Sequence, residues 1–124
     1  MRDIKEFDWK LVRTLYPVAL DRYCRRALAH IETKCREPEP NRHQLYLDVH
    51  ATMAEYDRQL ARTFDDLRRS TAVLHLMSMV AQGLLEPNEL AGFSPEVQSL
   101  LSTVEPREGS SGAPGTPPAG PEKG

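Results

Sequence analysis

Between Leu45 and Phe64 the apolar side chains Leu45, Val49, Met53, Tyr56, Leu60 and Phe64 recur at steps of four, four, three, four and four. That period matches the 3.6 residues of an α-helical turn, so one apolar stripe runs down one face of a helix. A second stripe lies upstream, where Leu20, Cys24, Ala27, Ile31 and Cys35 follow at steps of four, three, four and four. No segment alternates apolar and polar residues with period two between turn signals, so no strand is predicted. The expected fold is all-α: a small antiparallel bundle of three main helices, closed by a short C-terminal helical hairpin and followed by a disordered tail.

Helix boundaries come from capping and breaking residues. Asp8 is suited to cap a short opening segment through Tyr16, with Phe7 and Trp9 as anchors on the core, and Pro17 to begin a new helix. The run Glu37-Pro38-Glu39-Pro40 ends that helix, and Asn41 with Gln44 three positions on forms a capping-box pattern for the second. A break is expected at Asp65–Asp66, either of which suits the cap of a third helix over about Leu67 to Gln82. Val73, Leu74, Leu76, Met77, Met79 and Val80 cover more than one face of that helix, which places it centrally. Gly83 suits a left-handed stop with Leu84 folding back near Met79. Pro87 then opens a short helix that Gly92 ends, and Ser94-Pro95-Glu96 opens a last one carrying Val97, Leu100 and Leu101.

Residues 1–104 therefore form one helical domain. From Glu105 to Gly124 the chain holds five of the seven glycines and five of the ten prolines, with alanine as its only apolar residue type. Such a segment buries too little surface to offset its ordering entropy, and disorder is expected over 105–124. Cys24 and Cys35 sit about 16 Å apart along one helix, beyond disulfide reach, and read as reduced core thiols. The polar start MRDIKEFDWK carries no signal peptide, and the apolar run Ala72–Ala81 is too short to cross a bilayer and is interrupted by His75 and Ser78. A soluble, cytoplasmic protein without membrane contact is expected.

The chemistry-bearing residues form no recognisable site. His43 and His50 are seven apart and no Glu-x-x-His pair occurs, so no metal site is predicted. Neither cysteine has a reactive surrounding, although folding could bring His75 toward Cys24, and no glycine-rich phosphate loop exists. No catalytic residue and no cofactor are assigned. Charge is more informative. Sixteen basic and eighteen acidic residues nearly cancel, yet Lys10 to Arg36 holds seven basic residues against Asp21 and Glu32, while Ser70 to Val104 has only Glu86, Glu89 and Glu96. Arg22, Arg26, His30 and Lys34 recur at steps of four, a row on the side of the first long helix away from the predicted stripe. That row is the candidate contact for an acidic protein patch, a nucleic-acid backbone or the acidic C-terminal hairpin of a second copy. Arg68 and Arg69 join it as candidates, with ordinary i,i+3 pairing to Asp65 and Asp66 as their alternative.

The segments LDRYCRRALAHIE, LARTFDDLRRSTAVLHL and QGLLEPNELAGFSPE resemble a set of short bacterial helical proteins to which no activity is assigned. The resemblance spans roughly residues 4 to 101, implies an all-α fold and brings no active-site residues. LHLMSMVAQGLLEPNELAGF is in addition similar to short C-terminal helical hairpins that mediate oligomerisation. The expected function is that of a non-enzymatic interaction or regulatory module, binding a protein partner or itself through the basic face. The alternatives are a nucleic-acid-binding accessory protein using the same face and an enzyme with a pocket between helices. A small-molecule ligand is left unassigned.

Overall fold

In the computed structural model, which describes residues 4–106, the first helix, α1, runs unbroken from Glu6 to Cys35. The expected tail begins at Glu105 and, past Pro106, lies outside the described residues. The predicted break at Pro17 does not occur. Pro17 is exposed, so the carbonyl its missing N–H leaves unpaired lies on the solvent side. Burial of Val12 and Leu15 before it, and of Ala19 and Tyr23 after it, holds both halves on one axis.

Continuity moves the buried face. Asp8, Val12, Leu15, Ala19, Tyr23 and Ala27 form the inward seam of α1. The predicted stripe was centred beside it: Leu20, Cys24 and Ile31 are half-buried and Cys35 is exposed, leaving only Ala27 in the buried set. The two free thiols are thus not core residues. The N-terminal anchors also change. Trp9 packs partly buried against the core, but Phe7 is 63% exposed and Asp8, inside the helix rather than capping it, turns inward.

The second helix, α2 (Arg42–Phe64), starts where Asn41 Oδ1 accepts the Gln44 N–H at 3.0 Å. Only half the expected capping box forms, because the Asn41 N–H goes to Glu39 and the Gln44 amide to Asp48. The Tyr16 hydroxyl donates to the Phe64 carbonyl and the Tyr23 hydroxyl to that of Tyr56, fixing α2 antiparallel to α1. Phe64 packs edge-on against Tyr16 and Tyr23 with ring centroids 5.5 and 5.8 Å away. The break after Phe64 is present, and Asp66 takes the left-handed conformation with φ 64°. Neither aspartate caps the next helix; a 3-10 turn, Arg69–Thr71, leads into α3 (Ala72–Ala81), shorter at its start than expected.

Helix α3 is central, with Ala72, Val73, His75, Leu76, Met79 and Val80 buried. Gly83 (φ 69°) closes it: the Gly83 N–H bonds Val80 O and the Leu84 N–H bonds Met79 O, the two bonds of a Schellman stop. Polar groups pack between α2 and α3. The Gln82 amide reaches Thr63 Oγ1 at 2.6 Å and Ser78 Oγ at 3.1 Å. His75 Nδ1 lies 2.7 Å from Thr63 O, and since a carbonyl only accepts, that nitrogen carries the proton. Two short helices follow, α4 (Pro87–Leu90) and α5 (Pro95–Leu101). The Asp8 carboxylate accepts the Ser94 N–H at 2.8 Å and the Ser94 hydroxyl at 2.7 Å, tying the start of α1 to the cap of α5.

This core is short relative to the hairpin that frames it. At 1.5 Å per residue α1 is about 45 Å long and α3 about 15 Å. The shared core draws on α1 only as far as Tyr23, and between residues 28 and 62 Leu45 is the one buried side chain. The far half of the α1–α2 hairpin therefore projects with little to cover it.

Candidate interaction surface

The cationic row does not face solvent as a free surface. Arg22 clasps Glu89 in a two-pronged contact, Nη1 to Oε1 at 2.8 Å and Nη2 to Oε2 at 2.9 Å, and Nη1 also donates to Leu84 O. Arg26 donates to the carbonyls of Gln82 and Gly83, the end of α3 where the helix dipole is negative. These contacts explain why a stretch with no lysine or arginine follows one rich in them: α1 supplies the cations for the chain's own C-terminal turn. The hydrogen bond from Arg22 holds the Glu89 carboxyl below its ordinary value, whereas burial lowers the pKa of Arg26.

The Tyr56 hydroxyl lies 2.7 Å from His30 Nδ1. Burial, with Lys34 nearby, lowers the His30 pKa, favouring the neutral ring that accepts from that hydroxyl. Lys34 is half-buried and forms no ion pair among the described residues. Arg68 and Arg69 also bind elsewhere than at the i,i+3 positions, because the chain is not helical between Phe64 and Arg69. Arg68 pairs with Asp66, while Arg69 reaches back to the start of α1, to Ile4 O at 2.9 Å and Glu6 at 2.8 Å. Five of the six candidate residues are thus engaged within the chain: Arg22, Arg26 and His30 in half-buried contacts, Arg69 at the start of α1, and Arg68 in an exposed pair with Asp66. His75 is taken by Thr63 and does not serve Cys24. Among the described residues no group of three or more His, Cys, Asp or Glu side chains could hold a metal ion.

What the fold leaves partly open is a row beside the buried seam, which shares four residues with the stripe predicted as core and takes Leu28 in place of the buried Ala27. Leu20, Cys24, Leu28, Ile31 and Cys35 recur along α1 at steps of four, four, three and four, a continuous row about 22 Å long. Leu28, at its centre, is 60% exposed. On α2, Tyr46 and Leu47 are exposed as well. Isolated surface leucines are ordinary in folded proteins, but here exposed Leu28 and Cys35 continue the half-buried Cys24 and Ile31 at helical spacing, and Leu20 anchors the row's first end against the core. Leu28 lies outside the predicted stripe because that stripe begins after Pro17. Begun at Val12, the spacing Val12, Leu15, Ala19, Tyr23, Ala27 competes for the core and releases the neighbouring row.

Among the described residues no helix is long and apolar enough to cross a membrane. No protein family, curated protein or solved structure gives a significant match to this chain.

Proposed function

We propose that this protein is a non-enzymatic interaction module whose contact surface is the apolar row of α1 rather than its cationic row. The observation that carries this reading is the exposure of Leu28 between Cys24 and Ile31 on a helix whose adjacent seam is already packed. A helix with two apolar seams and one buried is suited to accept a second helix, by the same packing that seats α2. The exposed tyrosine and leucine of α2, Tyr46 and Leu47, add apolar surface to the same projecting hairpin. Rigid support comes from below, where Arg22 and Arg26 lock α1 to the turn after α3.

The test is affinity capture with the full chain and with Leu28→Glu, washed at high salt to remove charge-driven contacts. A partner held by the natural protein and lost by the variant supports the reading. Identical capture by the two proteins overturns it.

A further inference from the structure

The residues bordering the apolar row point to its occupant. Asp21, Arg25, Glu32 and Arg36 each follow a member of the row by one position, after Leu20, Cys24, Ile31 and Cys35, and Ala29 follows Leu28. The border therefore reads acid, base, alanine, base-seeking acid, base: Asp21, Arg25, Ala29, Glu32, Arg36. Turned end for end about Leu28, this border is its own complement. Asp21 meets Arg36 of a second copy, Arg25 meets Glu32, and the small Ala29 meets Ala29. The apolar row reverses about nearly the same point, with Leu20 near Cys35, Cys24 near Ile31 and Leu28 near Leu28; its pairs centre about one residue, or about 1.5 Å, before the charged pairs, an offset that long charged side chains span. We propose that the row is the interface of an antiparallel homodimer in which two α1 helices pack about a two-fold axis at Leu28. This deepens the reading above by naming the partner, and it rests on that reading.

Three further points favour this occupant and orientation. Among the described residues the four charges form only Arg25–Asp21 and Arg36–Glu32 pairs, both well exposed to solvent. Such i,i+4 pairs are weak, so the side chains are available to a facing helix. In a parallel pair this border would face the opposite flank of the row, the buried seam of Tyr23 and Ala27, so its acid–base match with itself is available only to the antiparallel arrangement. A two-fold interface is also self-complementary by construction, so every favourable pair occurs twice. The row is one helix wide and about 22 Å long, at the small end of specific interfaces. The dimer is accordingly concentration-dependent rather than permanent.

Sedimentation equilibrium of the full chain over micromolar to millimolar concentration tests the proposal, with circular dichroism as the folding control. The mass is expected to rise from 14.0 kDa toward twice that value. Leu28→Glu, at an exposed position, should keep the helical spectrum and weaken dimerisation by about a hundredfold, since two carboxylates would meet on the axis. Arg25→Glu should weaken it roughly fivefold to tenfold, acting twice across the axis, and adding Glu32→Arg in the same chain should restore it. That rescue separates the stated register from any other apolar self-contact. A mass that stays monomeric at every concentration, a dimer indifferent to Leu28→Glu, or a double variant that fails to recover would overturn the proposal. If the chain is monomeric but captures another protein through Leu28, the homodimer falls while the interaction-module reading stands. If both measurements are indifferent to Leu28, both fall.

Discussion

Replacing Asp8 with alanine should be among the most damaging changes available at the N-terminus of this fold. Its carboxylate is 1% exposed and accepts both the backbone N–H and the hydroxyl of Ser94, itself buried. Hydrogen bonds to a charged acceptor contribute about 1.5–3 kcal/mol each. Against that stands the cost of holding a carboxylate out of water, which removal relieves. Asp8 lies in the first turn of α1 and contacts the capping residue of α5, so two helix N-termini favour its negative charge and reduce that cost. A net loss of about 2–4 kcal/mol follows, a large share of the roughly 5–15 kcal/mol expected for a domain of this size. Thermal unfolding should shift down by roughly 10–25 °C. Asp8→Asn keeps the shape and one acceptor, and should cost about 1 kcal/mol. Hydrogen exchange at the Ser94 amide should accelerate in Asp8→Ala before global unfolding does. A variant as stable as the natural protein, with Ser94 still protected, would refute this reasoning, because it would mean that desolvation of the carboxylate outweighs the tie it makes.

Leu76→Ala should cost about 2–5 kcal/mol in chemical denaturation, since that side chain is fully enclosed at the centre of the core. Gly83→Val should lose about 1–2 kcal/mol, because a β-branched residue is strained at φ 69°; an unchanged midpoint would show that the turn re-forms another way. The Glu89 carboxyl is held below its ordinary value of 4.5 by Arg22. Its stabilising effect is therefore present above that value and lost as pH falls through the depressed one, and Arg22→Met should flatten this part of the stability profile. His30 behaves in the same sense for a different reason: burial favours its neutral form, so folding is opposed as pH drops below its ordinary 6.5. A proton NMR titration should give His30 a midpoint below that value, and a midpoint above it would place the ring in a different environment.

Much of the architecture is readable from short-range chemistry. Asn41 accepting the Gln44 N–H, Gly83 closing α3 and Ser94 with Pro95 opening α5 each depend on residues within a turn or two. The central position of α3 follows from apolar residues over most of its circumference. Pro17 is the instructive exception. A proline suits the first turn of a helix, yet its position on the solvent side of α1 also lets a helix pass through it, and packing on both sides decides in favour of passage.

Local sequence suffices to show that this chain is helical, where several of its helices begin or end, and that its charge is divided between a basic first helix and an acidic C-terminal region. Those properties depend on period, caps and composition, which act locally. Which of two adjacent seams on α1 is buried depends on long-range packing, because Val12–Ala27 and Leu20–Cys35 share the same period and differ in rotation by about one residue. The same holds for the arginines. Arg22 and Arg26 bind carbonyls and a carboxylate more than fifty residues downstream, a pairing no window along the chain contains. Those long-range bonds engage Arg22 and Arg26 within the chain and leave Leu28 exposed on the neighbouring side of α1.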